Sequence, residues 1–296
     1  MKIEDLLQRV VKEGASDGFI AAGAAPAIKV DGEIYPISEH VLSDEEAHEL
    51  VLSTLSEAQK KEFIEHQECN YAMGREGLGR FRASAFVQRG RSGLVVRRIN
   101  TEIPEIEELG LPPIIKELAM TKRGLVIFVG ATGTGKSTSL ASMVGYRNRN
   151  SRGHIISIED PIEFIHEHAG CIVTQREVGM DTESFDVALK NTLRQAPDVI
   201  LIGEVRTAQT MQQALTFAET GHLVLTTLHA NTANQALDRI LHFFPEDQHD
   251  QILMDLSLNL RGIVAQQLVR RPDGNGRRAV MEVLLNTPLV ADLILK

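Results

Sequence analysis

One run of eight residues constrains this chain more than any other: Gly130-Ala131-Thr132-Gly133-Thr134-Gly135-Lys136-Ser137, of the form GxxxxGK[ST]. The apolar stretch Leu125 to Val129 leads straight into it, and a helical stretch, Thr138 to Tyr146, follows. Strand, glycine-rich turn and helix in that order build a loop whose N–H groups point at a phosphate, with the helix amino terminus adding a partial positive charge. Lys136 is placed to reach β and γ phosphates, and the Ser137 hydroxyl to hold Mg2+. The expected binding set is therefore Thr132, Gly133, Thr134, Gly135, Lys136, Ser137 and Thr138, with ATP and Mg2+ as ligands. A glycine-rich turn that binds nothing is the alternative, and both flanks speak against it.

Beyond residue 123 apolar strands alternate with helix-length segments: Leu125 to Val129, Ile155 to Ile158, Val199 to Ile202 and Leu223 to Leu228. Continuous apolar strands spaced this way indicate a largely parallel sheet covered on both faces, a doubly wound α/β domain over 123–296. A late hairpin is expected at Pro272-Asp273-Gly274-Asn275-Gly276, and Thr287-Pro288 reads as N-cap and first residue of a last helix.

The first hundred residues read differently. Leu6, Leu7, Val10 and Val11 recur at helical spacing before Gly14, and Ala27 to Val30 and Glu33 to Tyr35 flank an Asp31-Gly32 hairpin turn. Ser43 with Glu46, and Ser56 with Gln59, have capping-box spacing. Strands follow at Cys69 to Met73, Arg80 to Gln88 and Leu94 to Ile99, giving a small mixed α/β domain over 1–100. Acids and prolines from Thr101 to Pro113 mark an interdomain linker, placed at 101–122.

Composition narrows the function classes. A length of 296 residues, at roughly 100 to 200 per domain, favours two domains, and 43% hydrophobic with 24% charged residues excludes disorder as the main theme. A net charge of −9 (31 basic against 40 acidic residues) disfavours a generic nucleic-acid binder. Cys69 and Cys171 lie too far apart for a CxxC pair, so neither a disulfide framework nor a zinc ribbon is expected, and a reducing cytoplasm fits. No apolar run approaches the roughly 18 residues of a membrane span, so no direct membrane insertion is expected and any membrane link would run through a partner.

Carboxylates gather where strands end. In open α/β sheets ligands lie outside the carboxyl ends of the strands, so Glu204, ending Asp198-Val199-Ile200-Leu201-Ile202-Gly203-Glu204, is expected to act on Mg2+ through water. Ile155 to Ile158 delivers Glu159, Asp160 and Glu163 to the same edge; spacing alone does not say which is the base, and a solvated acidic turn is the plainer alternative. His229, after Leu223 to Leu228, lies where it would sense a γ-phosphate, although a lone histidine, His222 included, is more often structural. Between Arg75 and Arg98 stand seven arginines (Arg75, Arg80, Arg82, Arg89, Arg91, Arg97, Arg98) against one acid, Glu76. Their planar forks suit phosphate; a salt-bridged face is the alternative.

With these residues in hand the sequence resembles the type IV pilus retraction ATPases of the PilT family, within the type II/IV secretion ATPases, over essentially its whole length. The resemblance rests on a Walker A at Gly130 to Ser137, an Asp box at Ile158-Glu159-Asp160-Pro161-Ile162-Glu163, a Walker B at Asp198 to Glu204 and a His box at Gly221 to His229. Gly203-Glu204-Val205-Arg206-Thr207 and Leu228-His229-Ala230-Asn231 look like the PilU branch, the PilT-dependent paralogues; the PilT branch is expected to carry Asp where Thr207 stands. The resemblance implies a PAS-like amino-terminal domain joined to a RecA-like ATPase domain, a ring of six, a PilT-like paralogue as partner, and work on an inner-membrane pilus platform protein from the cytoplasmic side. It assigns Glu163 as general base, Glu204 as Walker B acid, His229 as γ-phosphate contact, and Arg82 and Arg97 as arginines that reach the nucleotide.

Two departures stand out. The family's Ser-Asp-Leu-His segment appears as Ser16-Asp17-Gly18-Phe19, and family members continue past Lys296, so a truncated chain is expected that hydrolyses ATP without supporting retraction. Two rivals remain: a non-hydrolysing, nucleotide-gated accessory subunit, and a nucleic-acid motor, against which the absence of Trp and the presence of only 3 Tyr count.

Overall fold

The computed structural model describes residues 1–99, 102–271 and 276–296, in two compact units, Met1–Thr101 and Glu102–Lys296. In the first, helix α1 (Ile3–Lys12) precedes strands β1 (Asp17–Ala21), β2 (Ala27–Val30) and β3 (Glu33–Pro36). Helices α2 (Asp44–Ser53) and α3 (Glu57–His66) and strands β4 (Glu68–Arg75), β5 (Gly79–Gln88) and β6 (Arg91–Ile99) follow. The strands form one antiparallel sheet of order β3-β2-β1-β6-β5-β4. Both predicted capping boxes close: Ser43 with Glu46, and Ser56 with Gln59. Asp31 and Gly32 take φ of 50° and 90°, the double positive φ that a tight hairpin turn requires. Along β5, Phe81, Ala83 and Ala85 are buried under the helices while Arg80, Arg82 and Ser84 face the other way, as period-two alternation demands. Strand β1 was not expected; it is five residues long and opens on Asp-Gly, so it carries little strand signal.

In the second unit α4 (Ile114–Ala119) leads to β7 (Gly124–Val129), α5 (Lys136–Asn150), β8 (Gly153–Glu159) and β9 (Cys171–Glu177). Then come α6 (Phe185–Thr192), β10 (Val199–Ile202), α7 (Ala208–Glu219), β11 (Leu223–Leu228) and α8 (Ala233–Leu241). The last elements are α9 (His249–Asn259), β12 (Leu260–Arg270), β13 (Arg277–Leu285) and α10 (Pro288–Ile294). The sheet order is β13-β12-β7-β11-β10-β8-β9, parallel throughout except for β13. One face packs against α6 to α10 through residues such as Leu189, Met211, Ile240, Leu256 and Ile294, the other against α4 and α5 through Ile115, Leu140, Met143 and Val144. This is the doubly wound, RecA-like arrangement expected, fully buried strands included. Among the described residues no helix is long and apolar enough to cross a membrane.

Three features depart from the sequence reading. Residues 102–119, within the expected linker, pack into the second unit: Ile106, Ile115, Leu118 and Ala119 are buried, and Arg147 of α5 donates to the carbonyls of Ala119 and Thr121, both at 2.7 Å. The acids and prolines dominate the composition there, but the intervening apolar residues decide the packing. Strand β9 was missed because it is an edge strand of mixed polarity, with Ile172 exposed and Gln175 and Glu177 turned into the protein. The late hairpin exists as β12 and β13, although Pro272 to Asn275 of its expected turn lie outside the described residues.

Candidate nucleotide site

Strands β7, β8, β10 and β11 lie side by side in register, so their carboxyl ends open along one edge. That edge surrounds a cavity of about 320 Å3 lined, among others, by Thr132, Gly133, Lys136, Ser137, Glu159, Asp160, Glu163, Glu204, Arg206 and His229. Four segments that are far apart in sequence therefore converge, as the rule of strand ends requires.

The loop after β7 is shaped by glycine where the chain demands it. Gly135, the N-cap of α5, has φ +83°, and a Cβ there would lie 2.9 Å from the Gln266 side-chain nitrogen. At Gly130 a Cβ would lie 2.6 Å from the Gln266 carbonyl oxygen. Gln266, from β12, is thus the floor of the loop: its Nε2 donates to the Thr134 carbonyl at 2.8 Å, it is 1% exposed, and its Oε1 is buried with no hydrogen-bond partner among the described residues. No sequence motif pointed to it. Lys136 curls inside the loop and donates to the carbonyls of Gly130 (2.8 Å) and Ala131 (2.9 Å). Burial lowers its pKa, while Glu204 and Glu163 pull in the opposite direction.

The three carboxylates after β8, equivalent by spacing, separate by environment. Glu159 turns back onto the sheet, accepting from Ser157 Oγ at 2.7 Å and Gln175 Nε2 at 3.2 Å, and burial pushes its pKa up to about 7. Asp160 sits 4.0 Å from the Arg206 guanidinium. Glu163 is exposed, lines the cavity and, among the described residues, has no hydrogen bond or ion pair of its own. Glu159 and Asp160 thus each have a polar or charged partner within 4.0 Å, whereas Glu163 has none among the described residues.

Glu204 is 16% exposed and ion-paired with Arg206, and His229 Nε2 stands 3.5 Å from its second oxygen. Arg206 has no role in the sequence reading, although it lies in the quoted stretch. Its carboxylate contacts with Glu204 and Asp160 come from neighbouring strand ends. His222 stands at the opposite, amino end of β11, bonded to the Phe217 carbonyl at 3.1 Å, and is structural. Serine and carboxylate oxygens at Ser137 and Glu204 suit a hard divalent cation that keeps part of its water and takes phosphate oxygens.

Arg82 and Arg97 belong to the first unit, where they are register neighbours on β5 and β6. Arg97 Nε donates to Asp17 Oδ1 at 2.8 Å, Arg91 pairs with Asp44 at 3.1 Å, and Arg75 lies 3.6 Å from Glu4. Three members of the arginine patch therefore meet acids distant in sequence, the salt-bridged alternative.

The profile of the family described as "Type II/IV secretion system protein" matches residues 2–291. Among curated proteins, the type IV pilus ATPase PilU of Pseudomonas aeruginosa is 67% identical over 296 residues, covering 100% of this chain and 78% of that protein. The type IV pilus retraction ATPase PilT of the same organism is 41% identical over 294 residues, 99% of this chain and 85% of that one. The crystal structure of the pilus retraction motor PilT with bound ADP superposes with a TM-score of 0.95 at 42% identity, over 100% of this chain and 86% of that one.

Proposed function

The chain belongs to the type II/IV secretion system protein family, and from that premise we propose that it is a Mg2+-dependent ATPase which, as a ring of six, powers type IV pilus retraction. What carries this reading is the cavity that brings Lys136 and Ser137 of the loop to Glu163, Glu204 and His229. The loop amides, Lys136 and the helix amino terminus bind the phosphates. For that, Lys136 exchanges the Gly130 and Ala131 carbonyls for phosphate oxygens. Ser137 and Glu204 are the residues that would hold Mg2+, and the ion would neutralise charge on the phosphate oxygens. Glu163, unpartnered among the described residues and open to the cavity, orients the attacking water and accepts its proton, and His229 contacts the γ-phosphate. The resemblance assigns Arg82 and Arg97 to the departing phosphoryl group, a contribution typically worth about 10³ to 10⁵ in rate, and in that role Arg97 would give up its bond to Asp17.

An available Glu163 supports hydrolysis over a purely nucleotide-gated accessory role beside a PilT-like paralogue. The work is proposed to be delivered to an inner-membrane pilus platform from the cytoplasmic side. Lys136→Ala is expected to abolish nucleotide binding, and Glu204→Gln to keep binding while losing Mg2+-dependent turnover; nucleotide affinity and phosphate release read the two apart. Wild-type turnover in both variants would end this reading. In a piliated host, deletion should leave accumulated or poorly retracted pili, whereas loss of surface pili would indicate an assembly motor.

A further inference from the structure

Glu163 stands on the irregular segment between β8 and β9, and since its side chain has no hydrogen bond or ion pair among the described residues, its place is set by the main chain around it. That main chain is held by two side chains of β9. Gln175 Nε2 donates to the Phe164 carbonyl at 2.9 Å, and Gln175 Oε1 accepts from the His166 amide at 2.8 Å. Glu177, 4% exposed, accepts the Ile162 amide at 3.1 Å. Residues 175 and 177 are two apart on a strand and share a face; in register they stand beside Ser157 and Glu159. The residues immediately before and after Glu163, and His166 beyond, are thus each tied to one strand face, and the Gln175 amide also reaches Glu159 at 3.2 Å.

We infer that Gln175, assisted by Glu177, is a positioning residue for the proposed hydrolysis: its amide spans Phe164 and His166 like a short piece of added strand and holds Glu163 aimed into the cavity. A carboxamide suits this task because one group offers a donor and an acceptor side by side; an apolar or shorter side chain offers neither in reach. The inference rests on the reading of Glu163 as the base, and the test separates the two. Misplacing a reacting group by about 1 Å can cost about a hundredfold in rate.

Phosphate release and ADP affinity are measured for the wild type, Glu163→Gln, Gln175→Leu and the double variant. Gln175→Leu is expected to lower kcat about tenfold to a hundredfold with KM and ADP affinity within about twofold, and to speed hydrogen exchange at the His166 amide. In the Glu163→Gln background the same change should lower kcat by less than about twofold, because the group being positioned is already gone. Wild-type kcat for Gln175→Leu, or equal losses in both backgrounds as a merely structural role would give, overturns the inference. Wild-type kcat for Glu163→Gln instead overturns the assignment of the base, and the inference with it. The unbranched, uncharged Gln175→Met guards against misfolding, because it fills a similar length without placing a charge beside Glu159: it loses the donor to Phe164 and the acceptor for His166, so kcat should fall at unchanged ADP affinity, and an unchanged kcat counts against the inference.

Discussion

Replacing Gly135 by alanine probes how the phosphate loop is braced. Two separate costs arise. At φ +83° an L-residue is forced into the left-handed region, which costs about 1 to 2 kcal/mol. The new Cβ would also lie 2.9 Å from Gln266 Nε2, the mobile end of its side chain, so the amide moves aside and gives up its 2.8 Å bond to the Thr134 carbonyl. Because Gln266 is 1% exposed, no water replaces that bond, and an unsatisfied buried donor costs about 1 to 3 kcal/mol. The sum is about 2 to 5 kcal/mol. Urea unfolding of Gly135→Ala, of Gln266→Ala and of the double variant measures the parts. In the Gln266→Ala background, Gly135→Ala should cost only the backbone share, about 1 to 2 kcal/mol. An equal cost in both backgrounds would refute the bracing role of Gln266.

Two further outcomes follow from the site and from the first unit. Burial raises the Glu159 pKa from 4.5 to about 7, so between those values the folded chain binds more protons than the unfolded one, and stability falls as pH rises through that window before levelling off above it. Glu159→Gln, which keeps an acceptor for Ser157 and Gln175, should flatten that dependence and gain up to about 3 kcal/mol at pH 8, read by thermal or urea unfolding across pH; an unchanged pH profile counts against it. Arg97→Ala strands Asp17, whose side chain is 7% exposed, leaving Ser16 Oγ at 2.8 Å as a remaining donor. A destabilisation of about 1 to 3 kcal/mol is expected, whereas the unpaired-in-water case would leave the melting temperature unchanged; turnover measurements on this variant must therefore be made well below its melting point.

What the sequence made legible follows from how local each signal is. The loop, its flanking strand and helix, the buried strands β10 and β11 and the two capping boxes of the first unit are written in contiguous residues. Strand β9 is not, because one of its faces meets solvent and the other carries the polar side chains that hold the Glu163 segment, so neither apolar run nor clean alternation marks it. The floor of the loop, Gln266, lies 132 residues from the carbonyl it braces, and the partners of Arg75, Arg91 and Arg97 lie far back in the chain. Nor could spacing rank Glu159, Asp160 and Glu163; what separates them is a hydrogen-bonded, partly buried position, a neighbouring guanidinium, and an open one. Within the expected linker, at 102–119, acid and proline content masks five apolar anchors: Ile106, Leu111, Ile115, Leu118 and Ala119.

Hydrolysis in a site built by the loop and the strand ends depends on Glu163 as the group that activates water. Its most direct test is phosphate release by Glu163→Gln beside the wild type, with ATP affinity measured on both. Loss of a general base predicts a fall of about 10² to 10⁴ in kcat at unchanged ATP affinity. Equal turnover in the two proteins would contradict it.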